Sequence, residues 1–147
     1  MVPLVGTPKQ RLAALNRPAD INVCSFENAK WLVDQKVIKH DMVVFDELSR
    51  LSNAQGKRYR AIWSILPYMR KRVGLTASPA TNGYMKLYGQ FKIIDFGARL
   101  FKTIGKFRSR YFDKVPGVEW DQFVIRKESA AEIEHKIADI TLSLIHI

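Results

Sequence analysis

Residues 41–53 read "DMVVFDELSRLSN", and this stretch decides the fold. "DMVVF" (41–45) is a continuous apolar run of strand length, the pattern expected of a strand covered on both faces of a parallel sheet. The run stops at two adjacent carboxylates, Asp46 and Glu47. Ligands of open parallel sheets bind beyond the carboxyl ends of the strands. Magnesium keeps most of its waters and binds through one or two carboxylates together with phosphate oxygens. Asp46 is therefore a candidate to hold a hydrated Mg²⁺, with Glu47 facing a water that attacks a phosphate. Taken without context, the pair reads more simply as a polar strand end or a helix N-cap.

Outward from this stretch, strand-like and helix-like patterns alternate. "PLVG" (3–6) ends a strand, and "TPKQRLAAL" starts a short helix at Thr7. "INVCS" (21–25) is a short strand, and "FENAKWLVDQKVI" (26–38) has helical spacing of Phe26, Trp31 and Val33. Residues 54–70 read as a helix with Tyr59, Ile62, Trp63 and Leu66 inward, ended or kinked by Pro67. "RVGLTAS" (72–78) is the next strand, and a helix follows its Pro turn. The segment after Asp95 is aromatic and basic, Pro116-Gly117 make a turn, and residues 128–142 form an amphipathic helix. Alternating strands and helices imply an α/β fold, a parallel sheet flanked by helices and built from right-handed crossovers.

The 147 residues can bury one real core, and a 47% apolar content argues against disorder. No apolar run approaches a membrane span, and no signal-peptide pattern opens the chain, so no membrane is expected as a partner. The single cysteine, Cys24, cannot form an internal disulfide, which fits a cytoplasmic location. His40, His135 and His146 have no ligand-spaced partners, which argues against a structural metal.

The net charge of +10 is segregated. Residues 48–112 hold fourteen Lys or Arg and one acid, Asp95, or 14 − 1 = +13; the remainder holds ten bases and thirteen acids, or 10 − 13 = −3. Such a segment attracts a polyphosphate backbone, and nucleic acid is the expected partner, ahead of a merely solvated face. Arg70, Lys71 and Arg72 read equally as phosphate contacts or a solvated loop. Trp31 and Trp63 lie on apolar helical faces and read as core rather than as stacking platforms.

"VVFDELSRLSN" (43–53) and "RVGLTASPATN" (72–82) together resemble motifs II and III of superfamily 2 helicases and translocases, most closely the Swi/Snf-type ATPases of phages and bacteria. Asp46, Glu47, Arg50, Leu51 and Asn53 match the family's D-E-A-H-R-L-K-N pattern; Leu48 and Ser49 replace its Ala-His. Leu75, Thr76, Ala77 and Pro79 match L-T-G/A-T-P, with Ser78 keeping the hydroxyl of the second Thr. "INVCSFENA" is similar to motif Ib, "NGYMKLYGQFKIID" to the helix after motif III, and "FKTIGKFRSRYF" to the F-x(n)-F-R-x-x-F segment.

The resemblance implies a DNA-dependent ATPase with a RecA-like (P-loop NTPase) first lobe over residues 1–115, leading through 116–147 toward a second lobe. It implies ATP and Mg²⁺ as cofactors, a monomer, and DNA as partner, with RNA not separated from it. Asp46 would hold Mg²⁺ through water and Glu47 would be the general base. Thr76 and Ser78 would couple the nucleotide site to DNA, while Ser25, Arg50, Asn53 and Arg72 would touch the nucleic acid.

No segment fits G-x-x-x-x-G-K-[S/T]; Gly56-Lys57 and Gly105-Lys106 lack the other residues. The lobe is therefore expected to be incomplete, with the phosphate loop upstream, the second lobe downstream and the ends cut. The rival classes are a non-enzymatic, basic nucleic-acid-binding module and a two-carboxylate nuclease. The nuclease would need more acids at the site, and residues 48–94 contain none.

Overall fold

A computed structural model describes residues 1–36, 39–77, 80, 83–117 and 122–142. The short first strand, β1 (Val2–Pro3), lies parallel to β2 (Asn22–Val23). Helix α1 (Pro8–Leu15) joins them. It starts where local chemistry dictates: Pro8 occupies the first turn, Thr7 Oγ1 accepts from Gln10 N at 3.3 Å, and Gln10 Oε1 accepts from Thr7 N at 2.8 Å. Such a reciprocal box satisfies two backbone donors that the first turn would otherwise leave unpaired.

A 3-10 turn at Phe26–Asn28 leads into α2 (Ala29–Asp34), and then β3 (Met42–Phe45) runs parallel to β4 (Lys71–Gly74). The register pairs Val43 with Arg72 and Phe45 with Gly74. The crossover between them carries α3 (Lys57–Ile65), shorter than the helix expected over 54–70 because a 3-10 turn containing Pro67 takes over at Leu66. Tyr59, Ile62 and Leu66 are buried as the spacing requires, in one core with Phe45, Leu51 and Ile93; Trp63 is only half-buried.

A second core lies between α4 (Leu87–Asp95), α5 (Ile104–Tyr111) and α6 (Ser129–Ile137). Phe107 and Tyr111 are fully buried there, and α6, from the 116–147 segment, adds Ile133 and Ile137. Between α5 and α6, β5 (Phe112–Lys114) and β6 (Phe123–Ile125) form an antiparallel pair. Gly89 lets α4 lie directly on the 51–52 backbone: a Cβ there would stand 2.3 Å from the Ser52 carbonyl oxygen.

The fold is thus mixed α/β, and the described residues form two small parallel pairs and one antiparallel pair rather than one continuous parallel sheet. β3 also departs from its expected burial. Phe45 faces the core, but Met42 and Val44 are 45% and 51% exposed, and Val73 and Leu75 are exposed on the neighbouring strand. An apolar run fixes strand identity but not how many of its faces are covered. Among the described residues no helix is long and apolar enough to cross a membrane.

Candidate functional site

The β3–β4 ladder sets the geometry of the two carboxylates. Leu75 N donates to Phe45 O at 2.8 Å, continuing the pairing beyond Gly74. A regular parallel ladder would return the next bond from Glu47 N to Leu75 O. Instead Leu48 N makes that bond, at 2.7 Å. Glu47 is therefore an inserted residue, and it takes a left-handed conformation, φ 58° and ψ 63°. A bulge of this kind re-aims a side chain, and a left-handed glutamate costs about 1–2 kcal/mol. Strain of this sort clusters where a side chain must be held in one place.

The re-aimed Glu47 carboxylate meets two hydroxyls. Ser49 Oγ donates to Oε1, and Thr76 Oγ1 donates to the same oxygen at 2.9 Å. These donors, Ser49 first and then Thr76, hold the Glu47 carboxyl below the usual glutamate range, with the nearby Arg50 charge adding a smaller effect. Oε2 has no hydrogen-bond partner among the described residues. The carboxylate is thus ionised at neutral pH, fixed through one oxygen and open through the other. That suits it to accept from and orient a water more than to keep a proton.

Asp46 is exposed and makes no hydrogen bond or ion pair among the described residues. Among those residues no three His, Cys, Asp or Glu side chains converge as a metal cage. The donor set fits Mg²⁺ completed by waters and phosphate oxygens, and does not fit the closed ligand set of Zn²⁺. Asp46 and Ser25 line the same groove between β2 and β3, about 620 Å³ in volume. Ser25 precedes the 26–28 turn, and its hydroxyl makes no internal hydrogen bond there.

The remaining predicted contacts are placed differently. Arg50 donates to Glu27 Oε1 at 3.0 Å and lies over the Phe26 ring, and Arg58 shares that glutamate at 2.8 Å. The Arg72 guanidinium is largely engaged by the chain itself: Nε donates to Ile94 O at 2.8 Å, Nη1 donates to Met69 O at 2.9 Å, and the group lies over Phe96. Asn53 is exposed, with Oδ1 accepting from Gln55 N at 3.1 Å. Ser78 lies outside the described residues. The sequence marked Ser49 only as a departure from Ala-His; its place two residues beyond Glu47, where a short hydroxyl can reach back, was the available signal.

Acids outside the basic segment neutralise part of it: Glu27 takes Arg50 and Arg58, Glu132 takes Arg110, and Asp139 joins Asp95 on Arg99. Asp95 is itself folded inward, accepting from the backbone amides of Gly97, Ala98 and Arg99. Lys57, Arg60, Lys71, Lys86, Lys102 and Lys106 have no ion pair among the described residues and are exposed.

No family model matches the chain. Protein p41 of Acyrthosiphon pisum secondary endosymbiont phage 1 is 34% identical over 152 residues, covering 97% of the chain. The chain spans 33% of that relative's length.

Proposed function

We propose that the chain contributes the strand-end half of a Mg²⁺–ATP site in a DNA-dependent ATPase of the helicase or translocase class, as an incomplete RecA-like lobe. The observation that carries this reading is the 2.9 Å bond from Thr76 Oγ1 to Glu47 across two parallel strands. It joins the two segments whose residues resemble motifs II and III. Asp46 holds a hydrated Mg²⁺ and Glu47 orients the attacking water through its free oxygen. Thr76 and Ser49 keep that carboxylate ionised and in place, and Thr76, on the β4 side, passes a change in the nucleotide site to the neighbouring strand.

Phosphoryl transfer needs phosphates and metal held in line, and this chain has no G-x-x-x-x-G-K-[S/T] segment. The 147-residue chain is therefore expected to hydrolyse ATP negligibly. DNA-stimulated turnover by this chain that disappears in Glu47→Gln would refute that expectation. The missing phosphate loop is also the specific observation favouring a second reading, a basic nucleic-acid-binding module without nucleotide chemistry. That module binds DNA with strong salt sensitivity, indifferent to ATP and to Asp46→Asn.

A further inference from the structure

Apart from the strand-end carboxylates, a cleft of about 500 Å³ opens between the 52–55 loop, α3, α4 and α5. Its volume falls within the roughly 300–1,000 Å³ of ligand pockets. Among the described residues four cations line it, Arg60, Lys86, Lys92 and Arg108, and no carboxylate does. Arg60 and Lys86 are exposed and unpaired among the described residues, and Arg108 Nε is buried without a hydrogen-bond partner. The wall between these charges is aromatic. Trp63 is stacked on Tyr59 with centroids 6.1 Å apart, and Lys92 Nζ lies 5.4 Å from the Trp63 ring and 5.7 Å from Tyr88. Tyr59 is 4% exposed, and its hydroxyl also lacks a partner among the described residues.

Like charges gathered without an acid repel one another, and a polyanion relieves that repulsion. The aromatic wall narrows the class of anion further. Inorganic phosphate and an acidic peptide would use the cations and leave the rings idle. A nucleotide uses both, with its phosphates on the cations and its base against the rings. A duplex keeps its base faces stacked inside, whereas a single strand can present one to a cleft.

We propose that this cleft binds a nucleotide of single-stranded nucleic acid, with phosphates on Arg60, Lys86 and Arg108 and the base against the Trp63–Tyr88 wall. Lys92, whose Nζ donates to Lys102 O, stays beside the Trp63 ring and borders the place of the base. The site does not depend on ATP chemistry at Asp46 and Glu47, so Asp46→Asn leaves it intact, and either assignment can fail separately.

The test is fluorescence anisotropy of a labelled oligothymidylate over a range of salt concentrations. The proteins are wild type, Arg60→Ala/Lys86→Ala, and Lys57→Ala/Lys106→Ala, which removes equal exposed charge outside the cleft. Losing two phosphate contacts should weaken binding at least tenfold near physiological salt and flatten the slope of log K against log salt by about 1.4. The control pair should change affinity by less than threefold. Binding should also quench tryptophan fluorescence in wild type, with the Trp63 component missing from Trp63→Phe. Equal losses in the two double variants, or a duplex of the same length bound as tightly as the single strand, would overturn the assignment. Thymidine monophosphate competing at the oligonucleotide's own concentration would overturn it in favour of a free nucleotide.

Discussion

Replacing Gly74 by alanine tests how the strand end is built. An ideal Cβ at Gly74 stands 2.3 Å from Leu48 Cδ2, 3.0 Å from Cγ and 3.1 Å from Cβ. Leu48 is itself only 6% exposed, so its side chain has little room to retreat. Overpacking of this kind costs roughly 1–3 kcal/mol, and removing a strand glycine returns about 0.5–1 kcal/mol. Gly74→Ala should therefore destabilise by about 1–2 kcal/mol, or roughly 3 °C in Tm per kcal/mol for a chain of this length. Leu48→Ala leaves a cavity and should cost about 2–5 kcal/mol. In the double variant the clash is gone and the new methyl fills part of the hole. The two losses should then fall short of their sum by about 1–2 kcal/mol, as expected for residues in contact. Urea unfolding of the four proteins, followed by far-ultraviolet circular dichroism, measures that coupling. Additivity within about 0.5 kcal/mol would refute the packing argument.

Further perturbations address the carboxylate and the buried phenol. Thr76→Val removes one of the two hydroxyls on Glu47, so its carboxyl pKa should rise toward the ordinary glutamate range in an NMR titration; an unchanged midpoint would contradict the hydrogen bond. Because the folded-state pKa is depressed, the stability linked to this bond is present above the ordinary glutamate pKa and fades as pH falls through the folded value. The stability gap between wild type and Thr76→Val should accordingly be full at neutral pH and close in acid. Tyr59→Phe removes a buried hydroxyl that has no partner among the described residues, and should stabilise the protein by about 1 kcal/mol or leave it unchanged. Burial raises the Tyr59 pKa well above that of a free phenol, so an absorbance titration should lose one late-ionising tyrosine in this variant.

The sequence disclosed local chemistry better than tertiary company. Thr7 declared a helix start, and the structure adds what local chemistry completes there, a capping box with Gln10. Tyr59, Ile62 and Leu66 were legible as one face because helical spacing decides which side chains share it. The burial of β3 was not legible, since covering its second face depends on segments far along the chain. The β5–β6 pair was missed because "RYFDKV" reads as the end of a basic helix, and its partner strand lies beyond the turn at Pro116-Gly117.

At the site, motif spacing singled out Asp46, Glu47 and Thr76, and the fold brings Glu47 and Thr76, 29 residues apart, into one hydrogen bond. The left-handed turn at Glu47 and the Ser49 bond were not legible, because an inserted ladder residue leaves no pattern in hydrophobicity. Nor could composition reveal that Glu27 occupies Arg50 and Arg58, or that backbone carbonyls occupy Arg72. A cation's availability depends on what the fold places against it.

The central claim is that Asp46 and Glu47 serve ATP hydrolysis, and DNA-stimulated ATPase activity of this chain joined to a phosphate-loop segment and a second lobe tests that most directly. The account predicts Mg²⁺-dependent turnover that DNA increases and that Glu47→Gln lowers by about 10²–10⁴-fold, with the fold intact. Turnover absent with and without DNA, or equal in Glu47→Gln and wild type, would contradict it.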